Sequence, residues 1–331
     1  MLHPDLFTER QQSTPTRNGY GDALLELGSD ERIVVLTADL AESTRTQAFR
    51  ETFPERFIEC GVSEQNMVGM AAGLALSGKI PFVSSYATFM PGRTWDQIRV
   101  SVCYSNTNVK LAGAHAGLSV GPDGATHQAL EDIAITRVLP NLLVIVPCDY
   151  HETKQATLAI AGMEGPAYLR FTREKTPVIL AEDAPFIIGK HVILRTGTDV
   201  TLIACGPLVY EALVAARLLQ ERGIEAEVIN ASTLKPFDEK TLLKSLKKTG
   251  CAVTVEEHQI HGGLFGAVSE ILARELPTPV EPVAMPDSFG ESGEPAELLQ
   301  AYGLTSAAIF KAAKQAMKRK ATRKKRTFLL G

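Results

Sequence analysis

The sequence predicts an α/β protein of two domains, each a mainly parallel sheet covered by helices. Three observations carry this expectation. Short apolar runs alternate with helix-like segments twice along the chain, the pattern of parallel strands joined by crossover helices. A polar, proline-containing stretch around Ala181 to Lys190 separates the two series. The chain's 331 residues at 45% hydrophobic content suffice for a large core and are long for a single domain.

Taken in order, residues 1–15 are polar and read as an arm, and Gly19 to Leu27 reads as a helix. Apolar runs follow at Ile33 to Thr37, Phe57 to Cys60, Ile80 to Ser84, Val109 to Ala114, Leu142 to Pro147 and Ala167 to Phe171. Such runs suit strands buried on both faces. They define a first domain over 16–180, with a linker at 181–195. The second series begins with a strand at Val200 to Cys205, a helix at Leu208 to Arg222 and a strand at Ala226 to Asn230. It continues with a helix at Asp238 to Lys248, a strand at Ala252 to Glu256 and a helix at Gly263 to Leu276. A strand at Val280 to Met285 and a helix at Thr305 to Arg319 complete a second domain over 196–317. Residues 318–331 read as a basic tail without structure.

Composition excludes several classes. No apolar run approaches a membrane span and no signal peptide is visible, so a cytoplasmic protein is expected. The five cysteines lack CxxC spacing and read as buried thiols, with neither disulfides nor a zinc site. Seven of the 34 basic residues fall in Lys318 to Arg326, which leaves 27 against 38 acidic residues elsewhere. We read that cluster as a solvated end rather than a nucleic-acid surface.

Chemistry concentrates after the strands of the first half, where ligands of parallel sheets gather. In Gly61 to Gly78, GVSEQNMVGMAAGLALSG, Ser63 is a good N-cap and Gly78 a good C′ stop, which puts Glu64 at the first helical position. Gly69, Ala71, Ala72, Gly73 and Ala75 are small enough for close approach, which suits a helix buried at an interface.

This segment resembles the G-[IV]-x-E-[QH]-x-M pattern of the transketolase family of thiamine diphosphate enzymes. The resemblance implies that Glu64 contacts N1′ of the cofactor's aminopyrimidine across a subunit interface. A carboxyl group sharing a proton there favours the imino tautomer that deprotonates the thiazolium carbon, and partial desolvation aids the sharing. In YATFMPGRTWDQIR, Tyr86 to Arg99, the resemblance makes Phe89 the ring's stacking partner, with Tyr86, Arg93 and Trp95 nearby and Asp39 on the thiazolium side. This stretch is shorter than the family's, and an aromatic core cluster is the alternative for Trp95.

HAGLSVGPDGATHQALED, His115 to Asp132, sets two histidines twelve residues apart around a glycine-rich turn with Asp123 between them, a plausible polar pocket. It resembles the family's H-x7-D-x3-H loop, which implies that His115, Asp123 and His127 bind the sugar and that the imidazoles act at its carbonyl oxygen. Arg17, Ser43 and Arg173 match positions that hold a substrate phosphate, and Arg170 is a neighbouring decoy.

The family's Gly-Asp-Gly metal motif is missing; Pro122-Asp123-Gly124 is the nearest stretch. The expectation is a C-terminal subunit of a split transketolase that transfers a two-carbon ketol unit between sugar phosphates. An N-terminal partner would supply the Mg2+ and diphosphate site, with no metal ligand in this chain, and the pyrimidine and C-terminal domains would self-associate. The alternatives are the beta subunit of a 2-oxo acid dehydrogenase E1 component, a deoxyxylulose phosphate synthase-like enzyme, or a noncatalytic regulatory or binding subunit. In VEEHQIHGGLFGAV, His258 and His261 read as structure or dimer packing at a strand-to-helix turn.

Overall fold

A computed structural model of the chain describes residues 1–330, with side chains through Thr322. The first half begins with β1 (Ser13–Pro15), α1 (Thr16–Leu27), β2 (Ile33–Thr37), α2 (Gln47–Thr52) and β3 (Phe57–Glu59). Next come α3 (Glu64–Leu76), β4 (Ile80–Tyr86) and α4 (Trp95–Gln97), which runs into π-helical turns at Ile98–Tyr104. Then follow β5 (Lys110–Ala114), α5 (Asp132–Arg137), β6 (Leu143–Ile145), α6 (Tyr150–Ala161), β7 (Ala167–Arg170) and β8 (Lys175–Pro177).

The second half consists of β9 (Val192–Arg195), β10 (Val200–Ala204), α7 (Val209–Gln220), β11 (Ala226–Asn230), β12 (Thr233–Lys235) and α8 (Glu239–Thr249), then β13 (Ala252–Gln259), α9 (Leu264–Glu275), β14 (Val280–Met285), α10 (Pro295–Ala301) and α11 (Ser306–Leu330). The large sheet has the order β12-β6-β7-β5-β4-β2-β3, and the smaller one β14-β13-β10-β11-β9. All pairs in both are parallel except the edge strands β12 and β9. Strands β2, β5, β6, β10 and β11 are buried along their whole length, as a sheet covered on both faces requires.

The halves are interlocked. β12 comes from the second half yet pairs with β6 in the first sheet. One apolar cluster runs without a break from Val34 and Met67 through Val144 to Ile203, Leu234 and Val268. Among the described residues, no helix is long and apolar enough to cross a membrane.

Three expectations need correction. Residues 1–15 lie against the body: Leu6 is buried, Leu2 bridges to Leu180, and β1 pairs with β8. The tail is not structureless where side chains are described, because α11 continues through Lys318 to Thr322. There Arg319 Nη1 donates to Val280 O (2.9 Å) and Lys320 Nζ to Thr249 O (2.5 Å). The rest of the expected tail, 323–331, lies outside the residues with described side chains. Ser63 occupies the N-cap position of α3, but its hydroxyl donates to Cys60 O (2.7 Å) instead of capping. Gly78 does follow the helix in the left-handed conformation, with φ +88°.

Candidate active site

The carboxyl ends of β2, β4 and β5 open onto the start of α3, and most of the singled-out polar residues meet there. Glu64 is the first residue of α3 and only 3% exposed. A carboxylate is well placed at a helix N-terminus, where unpaired N–H groups and the helix dipole favour negative charge. Its Oε2 also accepts from Arg93 Nη1 at 2.7 Å. The Arg93 guanidinium lies over the Phe89 ring, 4.6 Å from its centroid.

From Phe89 a wall of rings continues inward. Tyr86, at the end of β4, stacks on Phe89 at 6.0 Å and on His115 at 4.3 Å, the latter pair nearly parallel at 20°. His127 meets the same wall edge-on, 5.4 Å from Phe89 and 6.2 Å from Tyr86. Thr126 Oγ1 lies 2.9 Å from His127 Nδ1. The two histidines, twelve residues apart in sequence, thus share one aromatic surface.

His115 follows β5 with φ +53° and is 2% exposed. Its Nε2 lies 3.1 Å from Arg17 Nη1 and 3.2 Å from Ser43 O, and Arg17 Nη1 also donates to Ser43 O at 3.0 Å. The Arg17 guanidinium can only donate and the Ser43 carbonyl can only accept, so these two neighbours ask for opposite protonation of Nε2 and do not fix the tautomer. Burial, with the Arg17 charge beside it, pushes the imidazole pKa down to about 3. His115 is therefore neutral at physiological pH. Its Nδ1 and Arg17 Nε are both buried without a partner, two polar atoms that a ligand could engage.

Arg173 and Asp123, each about a third exposed, pair at 3.2 Å, and Arg173 Nη1 also donates to Val120 O at 3.3 Å. Ser43 joins the site through its carbonyl. Asp39 stands apart on an exposed turn after β2, with its N–H donating to Glu59 Oε1 at 2.8 Å. Trp95 is a correction: its indole donates to Ile135 O (2.7 Å) and its ring packs against the main core, so it belongs to the aromatic core alternative.

Arg170, the decoy, is buried. Its Nε donates to Asp132 Oδ2 at 2.8 Å, and the same oxygen accepts from Tyr168 Oη at 2.7 Å. His258 is buried, with Nδ1 2.8 Å from Gln259 O and Nε2 accepting from Ala134 N at 3.3 Å. His261 borders a crevice between the halves with Glu131, Gln259 and Phe289. Sequence reasoning overlooked Glu257 and Gln128, both 3% exposed and both gripping the histidine loop. The signal available was a run of polar residues, Glu256, Glu257 and His258, inside a strand that must be buried, where each needs a dedicated partner. Among the described residues, no group of three or more His, Cys, Asp or Glu is arranged to hold a metal ion.

Two family models match the chain: the transketolase pyrimidine-binding domain over residues 12–178 and the transketolase C-terminal domain over 189–309. A protein of Methanocaldococcus jannaschii, provisionally named a transketolase C-terminal section, is 49% identical, covering 92% of this chain and 96% of that protein. The 6-deoxy-6-sulfo-D-fructose transketolase subunit of Clostridium sp. (strain MSTE9) is 42% identical over 92% of this chain and 95% of its own length. A solved structure described as a split-gene transketolase, inactive beta4 tetramer, superposes with a TM-score of 0.85. It is 44% identical and covers 93% of this chain and 99% of that one.

Proposed function

The chain belongs to the transketolase family, and we propose that it is the C-terminal subunit of a split transketolase. In this reading it moves a two-carbon ketol unit from a ketose phosphate to an aldose acceptor, together with an N-terminal partner. The observation that carries the reading is the single connected site: a buried carboxylate at a helix start, an aromatic wall, two histidines on that wall, and arginines at its end.

These residues fit thiamine diphosphate. Glu64 offers a buried carboxylate, Phe89 and Tyr86 offer flat apolar faces, and His115 Nδ1 and Arg17 Nε have no partner within the chain. When bound, the cofactor would supply a nucleophilic thiazolium carbon and an electron sink for carbon–carbon bond cleavage. Glu64 would hold a proton at N1′ of the aminopyrimidine. His115, neutral and with Nδ1 unpartnered, would exchange a hydrogen bond with a sugar oxygen. His127, in this reading, would move a proton at the carbonyl oxygen. Arg17 and Arg173 supply permanent charge for a terminal anion, and Asp123 holds Arg173 in place from one side.

Mg2+ and the diphosphate would be bound by the partner, and a cofactor site built between chains agrees with the relative described as an inactive tetramer of beta chains. That relative also supports self-association here. The Clostridium subunit's named substrate is a sulfonated ketose, and a sulfonate would fit the same two arginines as a phosphate. A donor panel should therefore include both, along with pyruvate and a branched 2-oxo acid for the alternative enzymes.

The test is calorimetric titration of thiamine diphosphate and magnesium into this chain alone and into its complex with a partner bearing the Gly-Asp-Gly motif. We expect tight binding and ketol transfer only in the complex. Tight binding to the isolated chain would reveal a diphosphate site here, and no transfer in the complex would overturn the assignment.

A further inference from the structure

The histidine loop is gripped by the second half of the chain near both ends. Glu257, in β13, sends its carboxylate across the boundary, where Oε1 accepts from Ser119 N at 2.5 Å. Gly117, at φ +92°, packs so closely there that a methyl group on it would lie 2.5 Å from the same Oε1. The Glu257 carbonyl is fixed in turn by Arg170 Nη2 at 2.8 Å. Residues 117–119 are thus pinned within four positions of His115.

The grip passes on to His127. Gln128, its neighbour, donates from Nε2 both to Leu118 O (3.2 Å) within the loop and to Glu291 O (3.0 Å) in the second half. Gly290 presses on the same side chain, and a methyl group there would lie 2.2 Å from Gln128 Oε1. A continuous path therefore runs from Glu257 through Ser119 and Leu118 to Gln128 and His127.

We propose that Glu257 is a positioning residue through which the C-terminal domain sets the placement of His115 and His127 for substrate. This rests on the reading of those histidines as substrate-handling groups. Glu257 stands behind the loop, so it acts on the sugar only through the backbone it holds. The part it plays is that of an acceptor oxygen for a buried amide, which loses its only partner among the described residues when the carboxylate is removed. Burial raises the Glu257 pKa, with Arg170 and Ser119 pulling it back. A glutamine keeps an acceptor oxygen in reach of the Ser119 amide and is a close substitute.

The experiment compares Glu257→Ala and Glu257→Gln in the full complex with its partner, thiamine diphosphate and magnesium. Glu257→Ala should lower kcat/KM for the ketose phosphate donor by about tenfold or more, chiefly through KM, because small displacements of positioned groups are costly. Cofactor affinity should stay within about twofold, since Glu64 and Phe89 lie on other elements, and Glu257→Gln should stay within about threefold of wild type. Amide hydrogen exchange over residues 115–128 should quicken in Glu257→Ala, stay protected in Glu257→Gln, and be unchanged over 61–76.

Wild-type kinetics and exchange in Glu257→Ala would overturn the proposal. So would equal impairment of both variants, or a parallel loss of cofactor affinity. If Glu257→Ala does not fold, Gly290→Ala pushes on Gln128 from the other side and must raise the donor KM; an unchanged KM would be equally fatal. If the wild-type complex transfers no ketol unit, the functional reading fails, and the exchange measurement still decides the role of Glu257.

Discussion

Glu64 and Arg93 differ in what they contribute although they hold each other at 2.7 Å. The Arg93 side chain is about half exposed, so solvent screens the pair and holds its worth to about 1–2 kcal/mol even though Glu64 is buried. Arg93→Met should therefore shift the urea midpoint only slightly, while Glu64→Gln, nearly identical in shape, should remove most turnover with assembly intact. A loss near 3 kcal/mol for Arg93→Met would make the pair structural, and near-normal turnover for Glu64→Gln would remove Glu64 from the chemistry. His115 yields a pH prediction. Its pKa is depressed to about 3 from an ordinary value of 6.5, so the unfolded chain binds the proton more tightly than the folded one. Its contribution to stability is complete above pH 6.5 and falls by up to about 1.4 kcal/mol per pH unit between 6.5 and 3. Comparing unfolding of wild type and His115→Asn across pH 4–7 isolates this slope; parallel curves would show that His115 is free to titrate. Sequence alone picked out Glu64, His115 and His127 because their local patterns are distinctive. Trp95 and Arg170 were harder to place, because whether a side chain turns to the core or the cleft depends on neighbours forty residues away.

At the scale of elements, α3 shows how far periodicity reaches. Its boundaries could be read from Glu64 and Gly78, and its buried face, Met67, Val68, Ala71 and Ala72, joins the main core. The opposite face carries Gly69 and Gly73, around which a methyl group would meet nothing within 4 Å, and Leu76, 76% exposed. Gly69→Ala should stabilise the isolated chain by about 0.5–1 kcal/mol through helix propensity. Gly73→Trp should leave the fold intact yet weaken self-association, as sedimentation would report; undiminished association would place the contact elsewhere. The strands β1, β8, β9 and β12 escaped notice because three or four residues with partners far along the chain leave no periodic signal.

Across the whole molecule, the two halves share a buried polar seam made of Asp132, Arg170, Tyr168 and Glu257. Removing one member of a buried pair leaves the other charge without compensation, so Asp132→Ala should cost about 3–5 kcal/mol. Because the seam and the main core belong to both halves, calorimetry should show one transition for wild type and variant alike. Two separated transitions would mean that the halves unfold independently. The polar stretch near 181–190 showed where the sheets divide, since no strand or helix lies between Pro177 and Val192. It could not show that β12 crosses back to β6, a pairing that involves residues about ninety positions apart. That crossing limits how evolution can cut the gene. Two reading frames divided between 181 and 195 would put β12 and Glu257 in one product and β6 and Ser119 in the other. Each product would carry an unpaired edge or an orphaned amide until the two met. A gene divided there is therefore expected to yield two products that fold only together, which co-expression of the separated halves would report.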